Sequence, residues 1–185
     1  MRVRSGLRLW RRRARTNGLN PQTEPMSAAE NPPINVRFAG LGGTGVIKAS
    51  DIFADVVFRL GHTVKKAEVH GMSQRGGSVQ SDVRFGPEVH SPMIPDGACD
   101  FLVVLEPSQI EVVRGGLRPG GVLLTPADID VAKLPTAKAL NVSMLGRLSR
   151  HFDFPEQSWR DSLRAHFAEK LHAANEKAFA LGRGV

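Results

Sequence analysis

Residues 34 to 60 read INVRFAGLGGTGVIKASDIFADVVFRL, and the change of period inside this stretch decides the fold. Ile34 to Ala39 is a short strand-like run that passes directly into Gly40-Leu41-Gly42-Gly43-Thr44-Gly45. Beyond the glycines, Val46, Ile47, Ala49, Ile52, Phe53, Val56, Val57 and Leu60 recur at helical spacing, and Gly61 supplies the stop. Strand, glycine turn and helix make the first half of a βαβ unit, and Thr63 to Val69 reads as the next strand. The architecture implied is α/β.

Working outward, Val69 to Val79 (VHGMSQRGGSV) holds three glycines, a histidine and an arginine between two strand-like runs, with no apolar stripe. Glycines let backbone amides approach a group that side chains would exclude, and Arg75 carries a planar fork suited to carboxylate or phosphate. Val79, Ser81, Val83 and Phe85 then alternate with polar residues as in a half-buried strand ended by Gly86-Pro87. A second extended piece, Val89 to Ile94, predicts a hairpin with it at a sheet edge. Phe101 to Leu105 is a continuous apolar run, as in a central strand covered on both faces.

Ser108 and Glu111 have capping-box spacing for a helix to about Arg114, closed by Gly115-Gly116. Pro119-Gly120-Gly121 turns into a strand at Val122 to Thr125. Helical patterns follow at Asn141 to His151, and from Phe167 through Leu171, Ala174 and Ala178 to Leu181, with Gly182 as its end.

The chain has 185 residues, 41% hydrophobic and 23% charged, which is ordinary for one globular domain. Its formal charge of +7 is unevenly spread. Residues 1 to 25 carry seven arginines and one acid, Glu24, while the remaining 160 carry 18 basic and 17 acidic side chains. Residues 1 to 33 are therefore expected to be a disordered basic arm, and 34 to 185 a nearly neutral folded domain in which nucleic-acid binding is not expected. Met26 offers a second plausible start. Cys99 is the only cysteine, so the chain's own thiolates cannot build a disulfide, zinc or iron-sulfur site, and a reducing, cytoplasmic setting is expected. No run is long and apolar enough to span a bilayer, so no membrane partner is expected.

The turn Gly40, Gly42, Gly43, Thr44 and Gly45 resembles a dinucleotide fingerprint, in which close-approaching amides and a helix N-terminus hold a pyrophosphate. Read from Gly40 it places Gly45 last with Gly43 as an extra glycine, and Glu68 stands near the position of the ribose-binding acid. The alternative is that the glycines only permit tight strand-to-helix packing. His70 is a candidate acid or base close to Glu68, against a purely structural role. Arg75 is a candidate for holding an anion or a partner's carboxylate. His62, His90, His151, His166 and His172 show no metal-ligand spacing, and Cys99 reads as a small packed apolar residue.

Taken together, these pieces resemble the gamma-type subunit or domain of 2-oxoacid:ferredoxin oxidoreductases, particularly the beta subunit of indolepyruvate oxidoreductase. The resemblance covers nearly all of residues 34 to 182. It rests on the turn Gly40 to Val46, the loop Glu68-Val69-His70-Gly71-Met72-Ser73-Gln74-Arg75-Gly76-Gly77, Ser91-Pro92 with Ile94, Asp100, and Leu105-Glu106-Pro107. Asn141-Val142, Met144-Leu145-Gly146 and Asn175 with Ala178-Phe179 also fit. Two departures stand out: Thr44 occupies a position where many relatives have glutamine, and Thr125 to Leu140 is too short for the further strand and helix of many relatives.

The resemblance implies a Rossmann-like α/β fold: a mostly parallel sheet with helices on both faces, an antiparallel edge hairpin and C-terminal helices. It also implies a non-autonomous subunit of an enzyme that oxidatively decarboxylates a 2-oxoacid, with indolepyruvate or another arylpyruvate expected, to an acyl-coenzyme A. Electrons pass to ferredoxin through the complex. Thiamine diphosphate, magnesium and iron-sulfur clusters would reside on a partner subunit, coenzyme A would be a co-substrate, and this chain alone would bind no cofactor. Cofactor-contacting candidates are Gly40, Gly42, Gly43, Thr44, Gly45, Ser73, Gln74, Arg75, Gly76 and Gly77, with His70 and Arg75 as catalytic candidates. The alternative is a stand-alone Rossmann-like nucleotide-binding module.

Overall fold

Two alternating runs of the sequence, INVRF and SDVRF, meet side by side and organise the sheet. In the computed structural model, which describes residues 32–70 (His70 by its backbone) and 76–184, β1 (Ile34–Leu41) lies antiparallel to β3 (Ser78–Gly86). β1 also lies parallel to β4 (Cys99–Val104). β2 (Thr63–His70) pairs antiparallel with β3, and β5 (Leu117–Leu124) parallel with β4. Among the described residues the order is β2-β3-β1-β4-β5, so β3 alone runs against the other four strands.

Alternation along β1 sends Val36 and Phe38 to one face and Asn35, Arg37 and Ala39 to the other. The first face is the main core. The helix α1 (Val46–Arg59) lays Ala49, Ile52, Phe53, Val56 and Val57 on it, all fully buried. α3 (Leu140–Ser149) and α4 (Glu156–His166) complete that layer, and α5 (His172–Arg183) packs across α3. Trp159 of α4 is wholly buried, with its ring centroid 5.9 Å from that of Phe53. A methyl at Gly146 would meet the Phe179 carbonyl, and one at Gly182 the Ser143 carbonyl, so the α3 and α5 backbones touch.

The second face is mostly polar. Arg37 and its direct cross-strand neighbour Asp82 form a buried two-point ion pair, with Nε to Oδ1 at 2.6 Å and Nη2 to Oδ2 at 2.9 Å. The hydrogen bonds from Arg37 to Asp82 hold the guanidinium above its ordinary pKa. Arg84 Nε donates to Asn35 Oδ1 at 2.8 Å, and Arg84 Nη1 donates to the carbonyls of Ser91 and Met93. Ile94 N donates to Asp82. These bonds strap residues 87–98 across the polar face. Further along, Ala39, Leu102 and Val104 are covered by Val113 of the short α2 (Ile110–Val113).

Several expectations change. The partner of β3 in the edge hairpin is β2, because residues 89–94 spend their backbone groups on Arg84 and Asp82 instead of a strand ladder. The expected helix from Ser108 to Arg114 is two 3-10 turns, Pro107–Gln109 and Arg114–Gly116, around the four-residue α2; Glu106, not Ser108, caps the first turn. β5 begins at Leu117 and passes through Pro119 and Gly120 with a register shift against β4. Residues 125 to 140, expected to be too short for a further strand and helix, do hold only three 3-10 turns before α3, and β5 lies at the sheet edge among the described residues. The stripe expected as one last helix from Phe167 is divided: Phe167 caps α4, and α5 runs past the buried Gly182 to a left-handed cap at Gly184. Cys99 is fully buried, and burial pushes its thiol up to about 11.

Candidate functional site

The carboxyl ends of β1 and β4 are where the chain's two connections part. From β1 the chain crosses to the α1 face, and from β4 it crosses to the α2 face. Neighbouring parallel strands whose connections leave on opposite faces form a topological switch point, the crevice at which open α/β sheets bind ligands.

The glycine turn lines one wall of this crevice. A methyl at Gly40 would stand 2.7 Å from Thr44 Oγ1 and 2.8 Å from Val46 Cγ2, so only glycine lets strand and helix close up here. Gly43 and Gly45 take φ of 97° and 88°, the left-handed region that favours glycine. Thr44 turns inward: its N–H and hydroxyl both donate to the Leu41 carbonyl, at 3.1 and 2.8 Å. The hydroxyl therefore closes the turn rather than offering its proton to a ligand.

The helix that follows begins uncapped. Gly45 makes no side-chain cap, the first turn of α1 has no acidic residue, and the bond from Ala49 N to Gly45 O leaves the amides of Val46, Ile47 and Lys48 ahead of it. Such amides and the helix dipole together favour an anion. Asn141, buried at the start of α3, donates from Nδ2 to the Gly45 carbonyl at 3.4 Å, while its Oδ1 accepts from Val142 N. The amino ends of α1 and α3 thereby meet.

Of the loop residues named from sequence, Gly77 comes to the turn, since its carbonyl accepts from Gly42 N at 2.9 Å. Gly76 adopts φ 73°, and among the described residues no atom lies within 4 Å of where its side chain would begin. Ser73, Gln74 and Arg75 lie outside the described residues, as does the side chain of His70. Glu68 does not take the position of a ribose-binding acid. β3 stands between β2 and β1, setting Glu68 about two strand spacings, or roughly 10 Å, from the turn's strand, and its carboxylate is paired with Lys66.

Sequence reasoning missed the Arg37–Asp82 pair and its strap, although the repeated charge alternation of INVRF and SDVRF was its visible signal. Asn141 was noticed only through resemblance. Of the remaining histidines, His62 stacks edge-on against Phe85 and His151 lies against Phe101. Among the described residues no group of three His, Cys, Asp or Glu side chains is placed to hold a metal ion, and no helix is long and apolar enough to cross a membrane.

Comparison with known proteins adds to this geometry. The family model for pyruvate ferredoxin/flavodoxin oxidoreductase matches residues 35–140. The indolepyruvate oxidoreductase subunit IorB of Thermococcus kodakarensis is 29% identical, over 80% of this chain and 93% of that protein. Among solved structures, the 2-oxoglutarate:ferredoxin oxidoreductase of Magnetococcus marinus superposes with a TM-score of 0.72 at 21% identity, covering 84% of this chain but only 31% of that one. The gamma subunit of the keto/oxoacid ferredoxin oxidoreductase of Geobacter sulfurreducens gives a TM-score of 0.61 at 22% identity, covering 80% of this chain and 95% of that one. At these identities the structural likeness is one of fold.

Proposed function

The chain belongs to the pyruvate ferredoxin/flavodoxin oxidoreductase family, and from that premise we propose that it is the gamma-type subunit of a thiamine-dependent 2-oxoacid:ferredoxin oxidoreductase. Indolepyruvate or a related arylpyruvate is the substrate favoured by the likeness to IorB. Residues 34–185 form the working domain, with the Arg-rich arm outside it, in a reducing cytoplasmic setting. The observation that carries the reading is the bond between Gly42 N and the Gly77 carbonyl. It draws the glycine turn and the end of the 71–77 loop to one rim of the switch-point crevice.

One buried cysteine does not fit an iron-sulfur cluster, so the clusters belong to a partner subunit, as do thiamine diphosphate and its magnesium. Thiamine, when bound there, supplies an ylid and electron sink for the decarboxylation. This chain's part is to bind and orient. The amides of Val46, Ile47 and Lys48, which precede the first helical bond of α1, suit a phosphate of coenzyme A, and among the described residues nothing crowds the side-chain positions of Gly43 and Gly76 on their side of the rim. Arg75, from the loop, meets the carboxylate of the 2-oxoacid or a second phosphate.

The reading as a stand-alone dinucleotide module loses support because Glu68 is displaced from the ribose position by β3. Co-expression with a thiamine-bearing partner, followed by dye or ferredoxin reduction with a panel of 2-oxoacids, tests the proposal. Co-purification and coenzyme A-dependent reduction are expected, with Arg75→Ala slowing turnover by at least tenfold. Unchanged turnover in Arg75→Ala removes that residue from the site. Tight binding of NAD or FAD by the isolated chain, with no co-purifying partner, overturns the proposal as a whole.

A further inference from the structure

The glycine turn takes its shape from a carbonyl that the sheet leaves without a ladder partner. β1 and β4 are parallel, and Ala39 O accepts from Leu105 N at 2.8 Å. Bonds along a parallel ladder are evenly spaced and recur every second residue, so the next would run from the nitrogen of residue 107 to Leu41 O. Residue 107 is proline, which has no N–H. Leu41 O instead accepts from two donors of Thr44, the backbone N–H at 3.1 Å and the hydroxyl at 2.8 Å. The hydroxyl fits there because Gly40 has no side chain, since a methyl would stand 2.7 Å from Thr44 Oγ1.

Across the same peptide, Gly42 N donates to Gly77 O at 2.9 Å. Gly42 and Gly77 continue by one step the β1–β3 register that sets Leu41 opposite Ser78. The Leu41 carbonyl and the Gly42 N–H belong to one planar trans peptide unit and point in opposite directions. β1 lies between β3 and β4, so a carbonyl held on the β4 side aims the N–H at β3.

We infer that Thr44 is the positioning residue of this rim: through the planar peptide between Leu41 and Gly42, its hydroxyl aims the Gly42 N–H and so holds Gly77 against the glycine turn. Pro107 closes the alternative route, because no N–H can take the place of the hydroxyl from the β4 ladder. The coupling stands on geometry alone. Its consequence for turnover rests on the functional reading above, in which Arg75, two residues before Gly77, meets an anionic group. When Gly77 is held in only a fraction of the molecules, apparent affinity falls by that fraction, while the bound complex turns over as before.

Hydrogen exchange of single amides in the full chain, read by NMR, tests the coupling. Thr44→Val keeps the branched shape and removes the hydroxyl, whereas Thr44→Ser keeps the hydroxyl. Thr44→Val should speed exchange at Gly42 at least tenfold while Ile52 to Val56 in α1 stay within about twofold of wild type, and Thr44→Ser should return Gly42 to within about threefold. Unchanged exchange at Gly42 in Thr44→Val overturns the inference. An acceleration shared equally by α1, or equally large in Thr44→Ser, also overturns it, because the hydroxyl would then not be acting on this peptide. In the complex reconstituted with a thiamine-bearing partner, Thr44→Val should raise the KM for coenzyme A or the 2-oxoacid at least threefold and change kcat less than twofold, with Thr44→Ser close to wild type. Faster exchange at Gly42 with both KM values unchanged upholds the coupling and counts against the rim's place in the functional reading.

Discussion

Asn141 Nδ2 stands 3.4 Å from the carbonyl oxygen of Gly45, a residue 96 positions earlier in the chain, and this contact holds together the amino ends of α1 and α3. Gly45 sits at φ 88°, and a methyl there would come within 2.5 Å of the same Asn141 nitrogen. Gly45→Ala therefore meets backbone strain and a clash together, and urea denaturation should show a loss of about 1–3 kcal/mol. In an Asn141→Ala background the overlap with the amide group is removed, leaving the strain and a 3.3 Å contact with the residue 141 Cβ. The penalty for Gly45→Ala should then shrink, and a double-mutant cycle reads the difference.

Asp82 neutralises Arg37 inside the polar face and also accepts from Ile94 N. Asp82→Ala leaves a buried guanidinium unpaired and releases one end of the 87–98 strap, for an expected loss of about 3–5 kcal/mol in chemical denaturation. Replacing the pair together, as Arg37→Met with Asp82→Leu, should cost much less than the single change. A double variant no more stable than Asp82→Ala would show that the strap, and not the charge, carries the effect.

The crossing of α3 and α5 leaves no room for a methyl at Gly182, which would fall on the Ser143 carbonyl, a backbone atom. Gly182→Ala should cost at least about 2 kcal/mol. Gly184→Ala, two residues later with φ 76° and only ordinary contact, 3.5 Å to Arg150 Nη1, probes strain without that overlap. Thermal melts of the two should separate, with Gly182→Ala lower.

Burial, reinforced by the positive charges of Arg147 and Arg150, lowers the pKa of His151 below its ordinary value. The folded chain thus binds this proton less readily than the unfolded chain, whose histidine titrates near 6.5. The stability contributed by neutral His151 is present above about pH 6.5 and is lost as the pH falls below it. Urea midpoints measured at pH 7.5 and 5.5 should show that loss, and His151→Phe should reduce it. An equal loss in the variant would assign the pH dependence to other groups.

Local order made much of the molecule legible. The helix after Gly45 could be read because Ile52, Phe53, Val56 and Val57 repeat at 3.6-residue spacing whatever they pack against. The glycine turn could be read because φ values near 90° and the space at Gly40 demand glycine from short-range sterics alone. Residues 89–94 could not be read correctly: an extended backbone has the same local pattern whether it joins a ladder or is held by Arg84 and Asp82 from another strand. Glu68 looked like a ribose-binding acid by its distance along the chain, since nothing local reveals that β3 inserts between β1 and β2.

From residues 34 to 61 the sequence by itself determined the α/β character, the strand–glycine–helix unit and the open amides at the head of α1, because period, backbone sterics and helix termini are local properties. Only the tertiary structure decided that β3 takes the place beside β1, that an Arg37–Asp82 pair lies beneath the strap, and that Gly77 and Asn141 close on the glycine turn. Those outcomes rest on pairings between residues 35 to 96 positions apart. Their energies depend on which partner burial makes available, and no stretch of sequence specifies that alone.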